Sequence, residues 1–357
     1  MAEEKEKPLT REDVLKAIEK NGGTAEGLRL SENRFEEGVD LSNLTLRRVG
    51  LVGAHLERAR LDGINLENAY LGRVHLEDAD LRRAHLKWAQ LQDAHLEGAK
   101  LSSASFENAN LQDAHLEGAD LDGANLEGAY LWRANLKGAC LRGANLEGAK
   151  LLAVDLEGAD LTYANLKGTL LGHSRLERVY LEGIELFPDT ELYDVRWGNY
   201  ILGEETRGFF NRAAYTYRQL KQWHTNAGMY DVAGKFFYRE MEARRKYRRW
   251  EAEPHLKLWD WILRLLCGYG EKWWRVIIWA AAVVFGLALI YYAIGTLTPN
   301  TFLNNLYYSA VSFTALGYGS WAPQPTGWVK GFGAFEAFVG VFMMALFLVT
   351  FIRRMTR

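Results

Sequence analysis

From Leu41 to Leu186 every fifth residue is leucine, with Phe106 the one substitute, which makes thirty consecutive five-residue units. Most read Ala-x-Leu-x-x, as in Ala94-His95-Leu96-Glu97-Gly98 and Ala124-Asn125-Leu126-Glu127-Gly128. A period of five fits neither the 3.6 of a helix nor the 2 of a strand. It suits a solenoid, in which each short unit buries its apolar residue only by stacking on its neighbours.

These units resemble the pentapeptide-repeat family. The resemblance implies a right-handed quadrilateral β-helix with one pentapeptide per side and twenty residues per coil. The leucines would fill the axis and the small residue two places earlier would fit beside them. At roughly 4.8 Å per coil, about seven coils give a rod on the order of 35 Å long. Such a rod has no deep pocket, so its expected role is that of a scaffold. Some members of the family are acidic mimics of DNA that bind topoisomerases. Between Asp40 and Glu185 there are 22 acidic and 16 basic residues, too mixed a surface for such a mimic.

A twenty-residue coil also aligns His55, His75, His95 and His115, each followed two residues later by Glu57, Glu77, Glu97 and Glu117. Both side chains of each pair point outward, because the leucine between them points in. Two readings fit: a duplicated unit on a solvated face, or a metal-binding or pH-sensing ladder. Imidazoles one strand spacing apart oppose joint protonation, while the carboxylates favour it. Ahead of the repeats, Thr10 is the expected N-cap of a short helix. That helix carries Val14, Leu15 and Ile18 on one side and stops at Gly22-Gly23. Its expected place is over the open end of the coil stack.

After Phe187-Pro188 the five-residue rhythm stops. Apolar residues at helical spacing from Arg207 to about Asn226, a break at Ala227-Gly228, and a second helix to Trp250 read as an antiparallel hairpin. The run Arg244-Arg245-Lys246-Tyr247-Arg248-Arg249 is a solvated helix face or a contact for anionic headgroups. Beyond Pro254, Leu258, Trp261, Ile262, Leu265 and Leu266 mark an amphipathic helix. It would lie in the membrane interface or pack on the hairpin.

Two 22-residue apolar stretches follow, Val276 to Leu297 and Gly331 to Ile352, each long enough to cross a bilayer. Eight of the twelve tryptophans lie at or after Trp250, in keeping with a membrane-facing C-terminal part. Lys272 and Arg275 precede the first stretch and Arg353, Arg354 and Arg357 follow the second. The positive-inside rule then puts both termini in the cytoplasm. The N-terminal Met1-Ala2-Glu3-Glu4-Lys5 has no apolar run, so no cleaved leader is expected. Cys140 and Cys267 are isolated and suit a reducing compartment.

Between the apolar stretches, Asn304 or Asn305 is the expected cap of a short helix from Leu306 to Thr314. It leads into Thr314-Ala315-Leu316-Gly317-Tyr318-Gly319-Ser320, with Pro323 beyond. Gly317 and Gly319 allow neighbouring carbonyls to turn toward one axis and replace an ion's water shell. This segment, about Lys272 to Arg357, resembles the two-transmembrane pore module of the potassium-channel family. The resemblance implies four chains around one pore, K+ ions held by the Thr314 to Gly319 filter, and Tyr318 packed against Tyr307 and Tyr308. The family filter usually begins with Thr and is followed by Asp; here those places hold Ala315 and Ser320. Glu336 is expected to accept hydrogen bonds behind the filter. Gly340 is the expected hinge of the inner helix, and Met344, Leu348 and Phe351 either an apolar constriction or ordinary lipid-facing packing.

The domain order expected is a capping helix at 1–27, repeats at 28–188, a hairpin connector at 189–253, an interfacial helix at 254–271 and a pore at 272–357. The function expected is a homotetrameric cation channel of a plasma (inner) membrane. It would prefer potassium, carry no cofactor beyond the K+ ions, and contact membrane lipid. The repeats would regulate gating or anchor an unknown cytosolic protein. The alternative is a membrane-tethered interaction protein whose pore is non-selective. A net charge of −2 disfavours nucleic acid as a partner. No phosphate loop, Ser-His-Asp pattern or Arg-every-third helix is present, which argues against an enzyme and a voltage sensor.

Overall fold

The computed structural model describes residues 7–248, 252–295, 297, 299–315 and 329–355. The chain forms two compact units, Met1–Ala227 and Gly228–Arg357.

In the first unit the residue before each repeat leucine from Asp40 to Asn165 pairs in parallel with the residue twenty places on, as in His55 with His75 and Asn65 with His85. Four such columns run along the stack, one per pentapeptide. Among the described residues each column is built of single-residue bridges rather than longer strands. A turn in every unit explains this. The amide of Ala54 donates to the carbonyl of Leu51 at 3.1 Å, and the same turn recurs at Ala94 and Leu91. Its third residue takes a positive φ, +65° at Gly98 and +63° at Gly128, which is why Gly, Asn and Asp crowd that position. Between turns the backbone bonds to both neighbouring coils: Leu51 N–H to Tyr70 at 2.8 Å, and His75 N–H to Ala54 at 2.9 Å.

The leucines and the small residues two places earlier are almost wholly buried; Leu96, Ala94, Leu126 and Ala124 are each 1% exposed or less. Near the C-terminal end Thr169, Ser174 and Thr190 take the small-residue place. The Thr169 and Thr190 hydroxyls donate to the carbonyls of Leu146 and Leu166 at 2.9 and 2.8 Å, so these buried polar groups are satisfied.

Bridging does not end with the leucine rhythm. Leu170 pairs with Glu191 and Arg175 with Arg196, a spacing of 21 rather than 20. One inserted residue shifts the register, after which Leu192, Trp197 and Leu202 are buried at five-residue intervals. The same one-residue offset occurs at the other end, where Arg29 pairs with Gly50.

Both ends of the stack are covered. Helix α1 (Arg11–Lys20) is opened by a capping box in which Thr10 and Asp13 bond each other's backbone. A Leu9–Phe35 bridge ties it to the first coil, as does Arg11 donating to the Asp40 carbonyl at 2.6 Å. Only Val14 of the expected apolar side is buried; Leu15 is exposed. At the far end, α2 (Gly203–Thr206) turns Glu204 inward to accept from the Leu181 amide at 2.6 Å. Burial raises the Glu204 carboxyl above its ordinary pKa. Helix α3 (Phe210–Asn226) brings the Tyr217 hydroxyl to the Leu202 amide at 3.0 Å and to Glu205 at 2.6 Å. Trp223 donates to the Phe187 carbonyl at 3.1 Å. Helix α3 thus belongs with the repeats. The expected hairpin is divided, because the boundary between units falls at Gly228.

In the second unit α4 (Tyr230–Tyr247) and α5 (Pro254–Cys267) are joined by ion pairs: Arg264 with Glu242 at 2.8 Å, and Arg248 with Asp260. Within the basic run Arg244 and Arg245 also pair with Glu240 and Glu242, while Lys246 and Tyr247 are exposed and Arg249 lies outside the described residues. Helix α5 leaves Leu258, Trp259, Trp261 and Leu265 exposed while Asp260 is buried. The charged face is the one packed on α4, in line with the packing expected of this helix. It ends at Gly268, in the left-handed conformation with φ +55°.

Helices α6 (Trp273–Ile294) and α8 (Val329–Met355) are long and apolar enough to cross a membrane, over Trp273–Ile294 and Lys330–Ile352. Between them lies α7 (Phe302–Thr314), packed against both. Its N-cap is Thr301, whose hydroxyl accepts from the Asn304 amide at 3.3 Å, and not either expected asparagine. Asn305 is buried inside the first turn, donating to Asn300 and to the Thr301 carbonyl.

Candidate pore site

Three helices meet at Glu336. This carboxylate on α8 is fully buried; it accepts from the Tyr291 hydroxyl of α6 at 3.1 Å and from the Ser309 hydroxyl of α7. The Ser309 oxygen also lies 2.9 Å from the Val284 carbonyl of α6. A polar group buried among apolar helices is tolerable only when such partners are supplied. Here the partners come from all three elements, so the network fixes how α7 sits between the longer helices. Tyr308 packs edge-on against Tyr291, ring centroids 5.3 Å apart. Leu297 and Leu287 complete this cluster. Sequence reading named Glu336 and Tyr308 here; it missed Tyr291 and Ser309, which carry no local signal.

A second apolar cluster holds the other end of α7, where Phe313 is buried with Cys267, Val276 and Met343. Gly340 of α8 faces it. A Cβ at residue 340 would stand 1.7 Å from the Phe313 carbonyl oxygen, closer than any real contact. Close packing of α7 on α8 thus requires glycine here, a reason distinct from the expected hinge. Thr314 ends α7 with its hydroxyl turned back to the Ala310 carbonyl at 2.8 Å. Ala315 follows in the left-handed conformation, φ +55°, and turns the chain out of the helix. Of the expected filter residues, Leu316, Gly317, Tyr318 and Gly319 lie outside the described residues, as do Ser320 and Pro323.

The expected constriction residues divide. Met344 and Leu348 are exposed on one face of α8. Phe351 is half-buried, packed edge-on against Trp273 of α6 at 5.7 Å and stacked on Phe347 at 5.5 Å. Tyr307 is half-buried on α7, on a different side from Tyr308.

On the repeats, the four histidines form a continuous stack. Ring centroids are 4.5, 4.7 and 4.9 Å apart from His55 to His115, with planes within 3° of parallel. Those distances are the strand spacing itself. Each Nδ1 faces its own glutamate, at 2.8 Å for Glu57, 3.0 Å for Glu77, 3.3 Å for Glu97 and 3.8 Å for Glu117. Partial burial is the largest single influence on Glu57 and opposes its ionisation, but the hydrogen bond from His55, a backbone hydrogen bond and the nearby His55 and His75 together outweigh it and hold this carboxyl below its ordinary pKa.

Two families match the chain. The family described as pentapeptide repeats matches in eight copies, over residues 59–98, 89–128, 99–138 and 139–178. The family described as ion channel matches residues 268–357, from the end of α5 through α8. The chain is a pentapeptide-repeat protein that carries a two-transmembrane ion-channel domain. With its two apolar helices it is a membrane protein.

Among solved structures, HetL, a pentapeptide repeat protein involved in heterocyst differentiation regulation from the cyanobacterium Nostoc sp. strain PCC 7120, is 26% identical. That match covers 53% of this chain and 94% of HetL, with a TM-score of 0.33. Rfr23, a pentapeptide repeat protein from the cyanobacterium Cyanothece 51142, is 31% identical over 39% of this chain and 91% of its own, with a TM-score of 0.27. QnrB1, a plasmid-mediated fluoroquinolone resistance protein, is 22% identical over 49% of this chain and 91% of its own, with a TM-score of 0.29. No curated protein matches the chain.

Proposed function

We propose that four copies of this chain surround one pore and form a cation channel that prefers potassium. The observation that carries this reading is α7 held between α6 and α8 by the Glu336 network, with its last turn delivering Ala315 and then the Gly317-Tyr318-Gly319 sequence. A helix C-terminus carries about half a negative charge, so a short helix ending at the filter favours a cation there. Backbone carbonyls from Thr314 to Gly319 replace the hydration shell, each chain supplying one quarter of every ring. Met344 and Leu348, exposed on one chain, would face the conduit or a neighbouring copy in the tetramer.

The repeats fold as a right-handed quadrilateral β-helix on the cytoplasmic side, with both termini in the cytoplasm and the pore in the plasma (inner) membrane. Bridges between residues twenty apart, four columns to the coil, support this architecture. The repeats act on the gate or hold a cytosolic protein beside it. A second reading, a tethered interaction protein with a non-selective pore, draws on Ala315 and Ser320, which take hydroxyl ligands from the inner ion site and charge from the outer mouth.

Rubidium uptake into vesicles carrying the purified protein separates the two. The channel reading expects uptake that excess potassium suppresses more than excess sodium, and a particle mass of four chains plus detergent. Equal suppression by both ions supports the second reading.

A further inference from the structure

The His–Glu ladder is not uniform along its length. At its start the Nδ1 atoms of His55 and His75 are already hydrogen-bonded to Glu57 and Glu77. At its end, His115 Nδ1 stands 3.8 Å from Glu117, beyond hydrogen-bond reach. Around that gap the carboxylates are oriented from outside. His95 Nδ1 lies 3.3 Å from Oε1 of Glu97, and Asn135 donates to Oε1 of Glu117. The second oxygen of each, Glu97 Oε2 and Glu117 Oε2, is shielded from solvent and has no hydrogen-bond partner. Glu77 Oε2 is in the same position, but there the Nδ1 atoms of both flanking histidines, His75 and His95, are taken up by hydrogen bonds to Glu77 and Glu97. Ligand atoms of Glu97, His115 and Glu117 all lie within 4.8 Å of one another, as do those of His55, Glu57 and His75 and of His75, Glu77 and His95. The trio at His115 differs in that its imidazole Nδ1 is beyond hydrogen-bond reach of its glutamate.

Buried carboxylate oxygens without donors are costly, and a cation is what offsets that cost. Two donors on a tetrahedral zinc-type ion with bonds of about 2.1 Å stand roughly 3.4 Å apart, a separation that small side-chain rotations reach from ligand atoms already within 4.8 Å of one another. The donor set of one imidazole nitrogen and carboxylate oxygens suits borderline divalent ions of the zinc and cobalt kind rather than calcium or magnesium. The three side chains remain about one-third to one-half exposed, which leaves water free to complete the coordination. Position along the column matters too. Arg34 is the bridge partner of His55 and puts a cation at the start of the ladder, whereas neutral Asn135 follows His115.

We infer that Glu97, His115 and Glu117 form a binding site for one borderline divalent metal ion on the face of the repeats, with His95 and Asn135 positioning the carboxylates. Hydrogen bonds to the outer oxygens of ligating carboxylates are the usual means by which a protein fixes such ligands.

The test uses the purified full-length chain, stripped of metal in detergent and titrated with cobalt(II) in excess magnesium. Visible absorption is followed, and zinc displacement is read by calorimetry. The expected result is one cobalt per chain, displaced by zinc. His115→Ala removes the absorption, Glu97→Gln weakens binding at least about tenfold, and His55→Ala leaves both signals in place. Circular dichroism of each variant must match the parent, since all these side chains lie outside the leucine core. Absence of cobalt absorption overturns the site. So does absorption that survives His115→Ala, or that is lost with His55→Ala instead.

Discussion

Gly340 of α8 lies so close to Phe313 of α7 that a Cβ at residue 340 would stand 1.7 Å from the Phe313 carbonyl oxygen. This is backbone against backbone, so no flexible side-chain end can move aside. The contact lies one residue before Thr314, where the expected filter begins, which links inner-helix packing to filter position. Gly340→Ala should therefore push α7 off α8, at a cost of about 1–3 kcal/mol or more. Gly286 in α6 has nothing within 4 Å of its would-be Cβ. Gly286→Ala should be neutral or stabilising by up to about 1 kcal/mol through helix propensity. Thermal unfolding of both variants in detergent checks this. A Gly340→Ala protein as stable as Gly286→Ala would show that the two helices are not packed this way.

A second prediction concerns pH and the cap on the repeats. His224 of α3 is fully buried, with Nδ1 2.7 Å from the Leu220 carbonyl and its ring against Trp223 and Trp197. Burial drives its pKa down from 6.5 to about 4, so it is neutral at pH 7. The unfolded chain binds this proton more readily than the folded one. Stability from His224 is thus complete above about pH 6.5 and is lost as pH falls toward 4. The depression corresponds to on the order of 3 kcal/mol. Urea midpoints read by Trp223 and Trp197 fluorescence should fall between pH 7 and pH 4.5 in the parent, and fall less in His224→Leu. Parallel curves for the two proteins would remove His224 from the account.

Much of this fold is written in the sequence, and the parts that are not have physical reasons. Leucine at every fifth place declares the coils because each one is an independent copy of the same burial. The last coils stay hidden because one residue is inserted between Leu186 and Leu192, which breaks the period without breaking the bridges. Helix α3 looks like half of a hairpin because its spacing records only that one face is buried. It does not record that the face covers the end of the repeats. Glu336 stands out as a lone charge in an apolar span, yet its donors Tyr291 and Ser309 are 45 and 27 residues away. Thr301, Asn304 and Asn305 are all good caps in principle, and only the backbone geometry chooses Thr301.

The third prediction addresses coupling. From the repeats the chain reaches the filter through α4, α5, α6 and α7 in that order. If the repeats regulate the gate, removal of residues 1–227, the whole first unit, should change open probability and leave the reversal potential in place. A flexible Gly-Ser insert before Pro254 should act likewise, because it interrupts the path ahead of α5. Single-channel records with unchanged open probability in both variants would reduce the repeats to an anchor.

The central claim is that this chain conducts cations through backbone carbonyls. Reversal potentials of the purified protein in a planar bilayer, under a potassium/sodium gradient with chloride held equal, test it most directly. The account predicts a cation current whose reversal lies toward the potassium equilibrium potential, and a further shift toward it in the Ala315→Thr, Ser320→Asp double variant. A current carried by chloride, or the same reversal potential for potassium and sodium in both the parent and the double variant, would contradict it.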